Sequence, residues 1–260
     1  MEDTLLHPFD AFGAWQKYHA LKTELEGVVR REFAGDSADV SVHEAFSGKM
    51  NFPDAYVLAR LLRRYRPTRI LEVGSFVGFS TRWILETATA WGGSVTSVDP
   101  NIRHRSFDAP GEVLKRLNER FLPDRLDVVH GFFGTPGDVY HDYEQHEPKR
   151  SREFVDQLVA SRERIGEDWE RRFEFIFIDG DHTYEAVTEN FRIARHLLAA
   201  GGCIAFHDAI SWPGVNQALR EIAQAYRGKA ETRIFGKLDH ALFQGMLRKH
   251  TDGIGFFRPA

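Results

Sequence analysis

The stretch at residues 69–81, RILEVGSFVGFST, constrains the fold of this chain more than any other. An apolar, β-branched run reaches the acidic Glu72, turns through Gly74 and Gly78, and continues into a segment that begins with Ser and Thr. Such a run is typical of a buried parallel strand, and a Ser/Thr start is typical of a helix N-terminus. Glycines let the backbone approach a ligand closely, and free N–H groups at a helix start favour an anion. The stretch predicts a ligand-binding strand–turn–helix unit.

The spacing of the glycines indicates which ligand this loop suits. A dinucleotide-binding loop reads G-x-G-x-x-G, with its second glycine against the pyrophosphate. Here Ser75 and Phe76 follow Gly74, and the next glycine is Gly78. S-Adenosylmethionine (SAM) fits better, because its only anion is a carboxylate. The residues expected to line the SAM site in this loop are Glu72, Gly74, Ser75, Gly78 and Ser80.

Composition excludes several classes of protein. With 38 acidic and 34 basic residues, the net charge of −4 gives no sign of a nucleic-acid binder. The arginines between residues 60 and 69 are interpreted as a solvated helix end rather than a phosphate site. No apolar run is long enough to span a bilayer, and the N-terminus lacks a signal-peptide pattern, so we expect a soluble, cytoplasmic protein with no membrane partner. The single cysteine, Cys203, lies in an apolar run and is predicted to be a buried thiol.

Strands and helices alternate along most of the chain. The predicted strands are residues 69–73, 94–98, 126–130, 173–178, 203–206, 231–235 and 253–258, and the predicted helices are 53–64, 80–90, 111–121, 184–199 and 215–226. One or two amphipathic helices are predicted within residues 9–33, with loops at 35–40 and 47–53. This order predicts an α/β fold: a doubly wound, mostly parallel, seven-stranded Rossmann-like sheet with helices on both faces. We expect a helical extension or cap at residues 1–52 and the main domain at 53–260.

The connection between the third and fourth predicted strands is unusually long. Residues 132–172 open with turn residues, include the polar run 140–146, and end in a highly charged segment predicted to be helical. A connection with its helix usually needs about a dozen residues. Two interpretations stand: a solvated surface helix, or a lid that selects the acceptor. The His, Asp and Glu residues of the polar run lack metal-ligand spacing and are interpreted as surface residues.

Polar residues follow the second and third predicted strands. Asp99, about twenty residues after the glycine loop, is placed to accept hydrogen bonds from the ribose hydroxyls of an adenosyl group. Strands also end in Asp for turn reasons alone. At the next strand end, Gly131 and Phe132 offer a backbone N–H and an aromatic face for adenine, although a core role for the phenylalanine is an equal alternative.

The fourth and fifth predicted strands end in a second group of polar residues. Asp179 follows one strand and His207-Asp208 follow the other, so their side chains converge at one edge of the sheet. Two carboxylates and an imidazole suit a hard divalent ion such as Mg²⁺ or Mn²⁺. In the alternative, His207 orients a carboxylate without a metal. Asp181 is expected to cap the helix that follows, since carboxylates are common N-caps.

These features in this order resemble the class I SAM-dependent methyltransferases, and among them the small-molecule O-methyltransferases. The resemblance covers about residues 53–226 and leaves the N-terminal helices and the long insert outside it. The matching residues are Glu72-x-Gly-x-x-x-Gly78, Asp99, the run IDGDHTY at 178–184 and the run GGCIAFHD at 201–208. The resemblance implies methyl transfer from SAM to a hydroxyl of a small-molecule acceptor. A homo-oligomer is a possible assembly of such an enzyme.

The resemblance also implies roles for the polar residues. In the metal-dependent branch, which includes macrolide-sugar and catechol O-methyltransferases, an Asp after the fourth strand and two residues after the fifth hold magnesium. These positions match Asp179, His207 and Asp208, although the branch usually has a carboxylate at the position of His207. An Asp-x-x-His pattern is similar to that of sugar O-methyltransferases in which the His is the base. This implies a catalytic His182 beside Asp179, and the ordinary imidazole pKa near 6.5 suits a base at neutral pH.

The same residues are compatible with three other functions. A metal-free SAM-dependent enzyme that methylates nitrogen or a carboxylate with a His base is the main alternative. An NAD-dependent dehydrogenase shares the sheet but is disfavoured by the glycine spacing. A non-catalytic SAM-binding protein would not need Asp179, His182, His207 and Asp208 in one cleft.

Overall fold

The computed structural model describes residues 8–33, 35–134, 169–236 and 251–260. The α-helices of this part are α1 (Pro8–Glu32), α2 (Asp36–Ser47), α3 (Phe52–Tyr65), α4 (Phe79–Ala88), α5 (Pro110–Leu117), α6 (Tyr184–Leu197) and α7 (Pro213–Ala225). The strands are β1 (Arg69–Val73), β2 (Ser94–Asp99), β3 (Leu126–His130), β4 (Phe173–Ile178), β5 (Leu198–Phe206), β6 (Ala230–Phe235) and β7 (Ile254–Pro259). Single 3₁₀ turns at Thr89–Trp91 and Glu119–Phe121 extend α4 and α5.

The strands form one seven-stranded sheet in the order β3-β2-β1-β4-β5-β7-β6. Strands β1 to β5 pair in parallel, and β7 is antiparallel to both β5 and β6. The predicted mostly parallel, doubly wound sheet is confirmed. The strand order reverses between β1 and β4, and ligands of such sheets bind in the crevice at the carboxyl ends of the strands where this happens.

Helices cover both faces of the sheet, as predicted. Alternate residues of β4 point to opposite faces: Phe175 and Phe177 pack with the helices that precede β3, whereas Ile176 and Ile178 pack with α6 and α7. The long α1 lies outside the sheet and packs against α2, α3, α4 and α5. Cys203 is buried in the first of these layers, which confirms the predicted core thiol.

Two predicted boundaries were wrong. Residues 35–40 were expected to form a loop, but α2 begins at Asp36 because Ala38, Val42 and Ala45 form a buried stripe at helical spacing. The helix expected to reach residue 199 ends at Leu197, and β5 starts at Leu198 instead of Cys203. Leu198 pairs with Phe173 across an irregularity in the β4–β5 ladder, so sheet pairing overrides local helix preference there.

The long insert falls mainly outside the described residues. Only its two ends, 132–134 and 169–172, are described, so the lid and the charged helix stay predictions, as do the boundaries of the N-terminal cap. The polar run 140–146 also lies outside the described part of the chain. Within that part, no helix combines the length and the apolar character that a membrane span requires.

Candidate active site

The glycine loop joins β1 to α4 with three residues in the left-handed region: Gly74, Phe76 and Gly78. Gly74 has φ of 80° and Gly78, the N-cap of α4, has φ of 79°. The N–H of Gly74 donates to the carbonyl of Val98 at 2.9 Å, which extends the β1–β2 ladder into the loop. On its other side Gly74 packs against the backbone of Asp179 and Gly180, without space for a side chain. The loop is thus held between the ends of β2 and β4.

Asp99 shapes this loop from the end of β2. Its Oδ2 accepts hydrogen bonds from the N–H groups of Ser75 and Phe76, both at 2.9 Å. Its Oδ1 accepts one from the N–H of Asn101 at 2.8 Å. A carboxylate has about four acceptor positions. Asp99 therefore retains capacity for about one further donor, rather than for the two ribose hydroxyls expected from the sequence.

The end of β3 differs in part from its prediction. The N–H of Gly131 donates to the carbonyl oxygen of Asp99 at 2.9 Å, so this group is not available to an adenine ring. Phe132 and Phe133 are both buried, and Phe133 packs in the layer that α6 and α7 cover. A contact of adenine with Phe132 stays a prediction.

Glu72 is completely buried beneath the loop. The hydroxyl of Thr81 donates to its Oε2 at 2.5 Å. Burial raises the pKa of Glu72 to about 7, against hydrogen bonds from Ser80 and Thr81 that lower it. Within the described residues, neither Glu72 Oε1 nor the buried hydroxyl of Ser75 has a hydrogen-bond partner. Two polar atoms at the loop are thus buried without a partner in the part of the chain that the structure describes.

Asp179, His207 and Asp208 converge at the adjacent ends of β4 and β5. The N–H of Asp179 bonds to Val73 and that of His207 to Ile178, so the sheet ladder continues into both residues. Nδ1 of His207 forms a hydrogen bond of 3.1 Å with Oδ1 of Asp179 and lies 3.4 Å from Oδ2 of Asp208. One donor atom from each residue lies within 4.8 Å of the other two. The predicted convergence of these side chains is confirmed.

His182 completes this cluster from the start of α6. Its Nε2 lies 2.7 Å from Oδ2 of Asp208 and 3.7 Å from Oδ1 of Asp179, although no aligned hydrogen bond forms within the described residues. Its ring stacks on Trp212 with centroids 4.8 Å apart and planes 16° apart. The expected N-cap role of Asp181 was wrong. Thr183 caps α6, and Asp181 accepts the N–H of Thr183 in the turn before it, because its side chain reaches two residues ahead.

Opposite charges within the cluster shift the pKa values of its members. Burial alone would lower the pKa of His182, but Asp179 and Asp208 outweigh it and raise that pKa to about 9. In the same way the pKa of His207 is raised well above its usual value, against burial, chiefly by Asp179. Burial opposes ionisation of Asp179 and Asp208, yet the two imidazoles hold both carboxyl pKa values below their usual range. The carboxylates around the two imidazoles therefore favour the protonated form of both histidines.

Sequence reasoning missed one residue of the site. Asp54 lies in the helix predicted at residues 53–64, where nothing marked it as a site residue, but it is fully buried and its Oδ2 lies 3.4 Å from Nε2 of His207. An Asp in the first turn of a helix is ordinary in a sequence. No local signal identifies this contact, because the two residues are far apart in the sequence.

A cavity of about 560 Å³ lies elsewhere, between α1, α3 and α4. It is lined in part by Arg63 and Arg66 of the arginine cluster and contains none of the strand-end residues. Arg82, which also borders it, is buried and bonds to Glu24 and Glu86, each at 2.9 Å. The convergence of chemistry-bearing side chains, not this cavity, identifies the candidate active site.

A sequence model of the methyltransferase domain matches residues 71–209, a range that runs from the glycine loop to Asp208. This chain belongs to that family. As in other enzymes of class I, its sheet has the order 3-2-1-4-5-7-6. The family match includes Glu72, Asp99, Asp179 and His207, whereas Asp54 precedes it.

Solved methyltransferase structures share the fold of this methyltransferase at low sequence identity. The O-methyltransferase from Bacillus cereus, in complex with SAH, is 18% identical with a TM-score of 0.54, over 92% of this chain and 91% of that one. TomG from Streptomyces achromogenes, an O-methyltransferase of tomaymycin synthesis in complex with SAM, is 15% identical with a TM-score of 0.52, over 88% and 91%. The SAH-bound Podospora anserina methyltransferase PaMTH1 is 14% identical with a TM-score of 0.52, over 92% and 88%.

Proposed function

We propose that this methyltransferase transfers the methyl group of SAM to a hydroxyl of a small-molecule acceptor, with the help of Mg²⁺ or Mn²⁺. The observation that carries the proposal is the contact between its two motifs. Gly74 of the glycine loop packs against the backbone of Asp179, so a cofactor on the loop and an acceptor at the polar cluster would share one cleft.

Binding of SAM is supported by the chemistry of the loop. The buried Glu72 Oε1 and Ser75 hydroxyl lack partners in the described part of the chain, and Asp99 keeps an acceptor position for one ribose hydroxyl. The ammonium group of SAM suits the carboxylate of Glu72, and its own carboxylate suits the hydroxyl of Ser75. A ribose hydroxyl of SAM suits the remaining acceptor position of Asp99. The neighbouring structures in complex with SAM or SAH agree with this assignment.

The donor set at the strand ends fits a divalent cation. Asp179 and Asp208 provide hard oxygen ligands, and His207 provides Nδ1, with these atoms within 4.8 Å of one another. A bound Mg²⁺ or Mn²⁺ would lower the pKa of the acceptor hydroxyl and fix its direction toward the methyl group. SAM is already activated by its sulfonium charge, so the remaining task of the protein is alignment and proton removal.

His182 is the base in this proposal, at the outer side of the cluster. The expectation that its pKa stays near the ordinary value does not hold, because Asp179 and Asp208 raise the pKa to about 9. Neutralising these two carboxylates removes the main cause of that rise. The pKa of His182 would then return toward the range of a base that works at neutral pH.

One observation favours a second candidate, a metal-free methyltransferase. His182 and His207 contact Asp54, Asp179 and Asp208 at 2.7 to 3.4 Å, and these carboxylates raise the pKa values of both histidines, so two imidazolium charges would offset most of the negative charge there. A cluster that is nearly neutral by itself has less need of a cation. In that enzyme the acceptor would be a nitrogen or a carboxylate, or a hydroxyl activated by a histidine alone.

A chelator experiment separates the two candidates. The protein is treated with EDTA, and calorimetry with SAH measures cofactor binding. A panel of hydroxylated metabolites, amines and carboxylates is then screened for SAH formation with chelator, with Mg²⁺ and with Mn²⁺. We expect turnover of a hydroxylated acceptor only with added metal. Full activity in excess chelator would reject the metal role, and binding of NAD without binding of SAH would reject the whole proposal.

A further inference from the structure

We propose that Asp54 is a positioning residue, which receives the Nε2–H of His207 and thereby turns Nδ1 toward Asp179 and Asp208. This inference deepens the proposed function and rests on it where the metal is concerned. Asp54 lies on α3, before the family-matched region, and its contact with His207 joins the N-terminal part of the chain to the end of β5.

The carboxylate of Asp54 is fixed from three sides. Its Oδ1 accepts hydrogen bonds from the Thr251 hydroxyl at 2.6 Å and from the Gly253 N–H at 3.2 Å, and its Oδ2 accepts the Asp252 N–H at 3.0 Å. The N–H of Asp54 is itself held by the side chain of Asn51, the N-cap of α3. Asp54 is fully buried, so its position is set by these contacts rather than by solvent.

His207 needs the partner that Asp54 offers. The side chain is only 7% exposed, and within the described residues its Nε2 has no aligned hydrogen bond. Oδ2 of Asp54 faces this atom at 3.4 Å and has an acceptor position left after the Asp252 N–H. A buried imidazole N–H opposite a buried carboxylate oxygen is a favourable pairing.

The two ring nitrogens of His207 then face different partners. A proton kept on Nε2 by Asp54 leaves Nδ1 as the nitrogen that faces Asp179 at 3.1 Å and Asp208 at 3.4 Å. Histidine ligands of metals generally donate their other ring N–H to a carboxylate or carbonyl, which fixes the tautomer and the ring orientation. Asp54 occupies that place behind His207.

A second metal site is the alternative use of the same residues. Asp54, His207 and Asp252 also bring donor atoms within 4.8 Å of one another. Three hydrogen bonds already occupy the oxygens of Asp54, and Oδ2 of Asp252 accepts from Asn51 at 2.6 Å. Oxygens that are so occupied are better suited to hold His207 than to hold an ion.

The test compares wild type, Asp54→Asn and Asn51→Ala as full-length proteins. An amide in place of the carboxylate offers one acceptor oxygen where there are now two, so the Nε2–H of His207 loses its partner. Asn51→Ala is the matched control, since it loosens the same junction through Asp252 without contacting His207. Binding of Mn²⁺ alone is measured by calorimetry, and ¹⁵N-histidine NMR, assigned with His207→Gln, reports which ring nitrogen of His207 carries the proton.

We expect wild type to keep the Nε2 proton with and without Mn²⁺, and Asp54→Asn to lose it and to bind Mn²⁺ about 10- to 100-fold more weakly. Asn51→Ala should keep the wild-type proton signature and Mn²⁺ affinity. Equal losses in both variants, or a wild-type His207 without a proton on Nε2, would overturn the inference. The wild-type spectrum decides this even if Asp54→Asn does not fold. If wild type binds no Mn²⁺ but only Asp54→Asn loses the Nε2 proton, the metal proposal fails and the positioning role stands.

Discussion

A Cβ atom on Gly74 would lie 2.2 Å from the carbonyl oxygen of Asp179. Non-bonded carbon and oxygen atoms do not approach so closely, so any side chain at position 74 must displace the end of β4 or the glycine loop. The same contact places the loop directly beside the polar cluster of Asp179, His207 and Asp208. The glycine loop and the polar cluster at the strand ends are therefore in direct contact.

Gly74→Ala should abolish SAH binding and destabilise the protein, because it adds both a backbone clash and strain at φ of 80°. Gly92→Ala is the matched control: Gly92 has φ of 81° but nothing within 4 Å of its Cβ position. The control should cost only the left-handed strain, about 1–2 kcal/mol. Calorimetry with SAH and denaturant unfolding measure both effects. Equal behaviour of the two variants would show that the contact with Asp179 is unimportant.

Asp99→Asn should weaken SAH binding roughly 10- to 100-fold, because it removes a charged acceptor from the ribose, and such a bond is worth about 1.5–3 kcal/mol. The variant also weakens the hold on the N–H groups of Ser75 and Phe76. Asp127→Asn, an exposed Asp on the neighbouring β3, controls for a general effect of charge. An unchanged dissociation constant for SAH in Asp99→Asn would remove Asp99 from the cofactor site.

Glu72→Gln should flatten the dependence of stability on pH. Burial raises the pKa of Glu72 from 4.5 to about 7, so between these pH values the folded protein keeps a proton that the unfolded chain releases. The free energy of unfolding then falls as pH rises through this window, by about 3 kcal/mol in total. Without SAM, denaturant unfolding at pH 4.5 and pH 8 should show a loss about 3 kcal/mol larger in wild type than in Glu72→Gln, where the raised pKa values of His182 and His207 still contribute a loss of their own. Parallel pH profiles would contradict the raised pKa.

The proposed base and a proposed metal ligand should be separable by mutation. Asp208→Asn should abolish methyl transfer yet still bind SAH, since Asp208 lies in the polar cluster and not in the glycine loop. His182→Ala should slow turnover by a hundredfold or more, the usual contribution of a general base. Turnover by His182→Ala should still depend on added metal. Loss of metal dependence in this variant would instead make His182 a ligand.

Much of the fold and part of the site followed from local sequence patterns. The alternation of apolar runs with glycine and proline breaks predicted a mostly parallel sheet of seven strands. Asp99, Asp179, His207 and Asp208 lie at the strand ends where this order placed them. The boundaries of α2 and β5 did not follow, because the buried stripe of one and the ladder partner of the other lie in distant parts of the chain.

The sequence by itself determined the order of elements, the sheet and the edge at which polar residues gather, because hydrophobic periodicity and turn chemistry are properties of neighbouring residues. Only the tertiary structure decided how those residues are paired and charged. Asp54 meets the segment at Asp252 across 198 positions, and Asp99 turns its acceptors to loop N–H groups 23 and 24 positions away. The raised pKa of His182 likewise depends on Asp208, a residue of another strand end. Burial and charge at a point in space are sums over such distant neighbours, and no local pattern contains them.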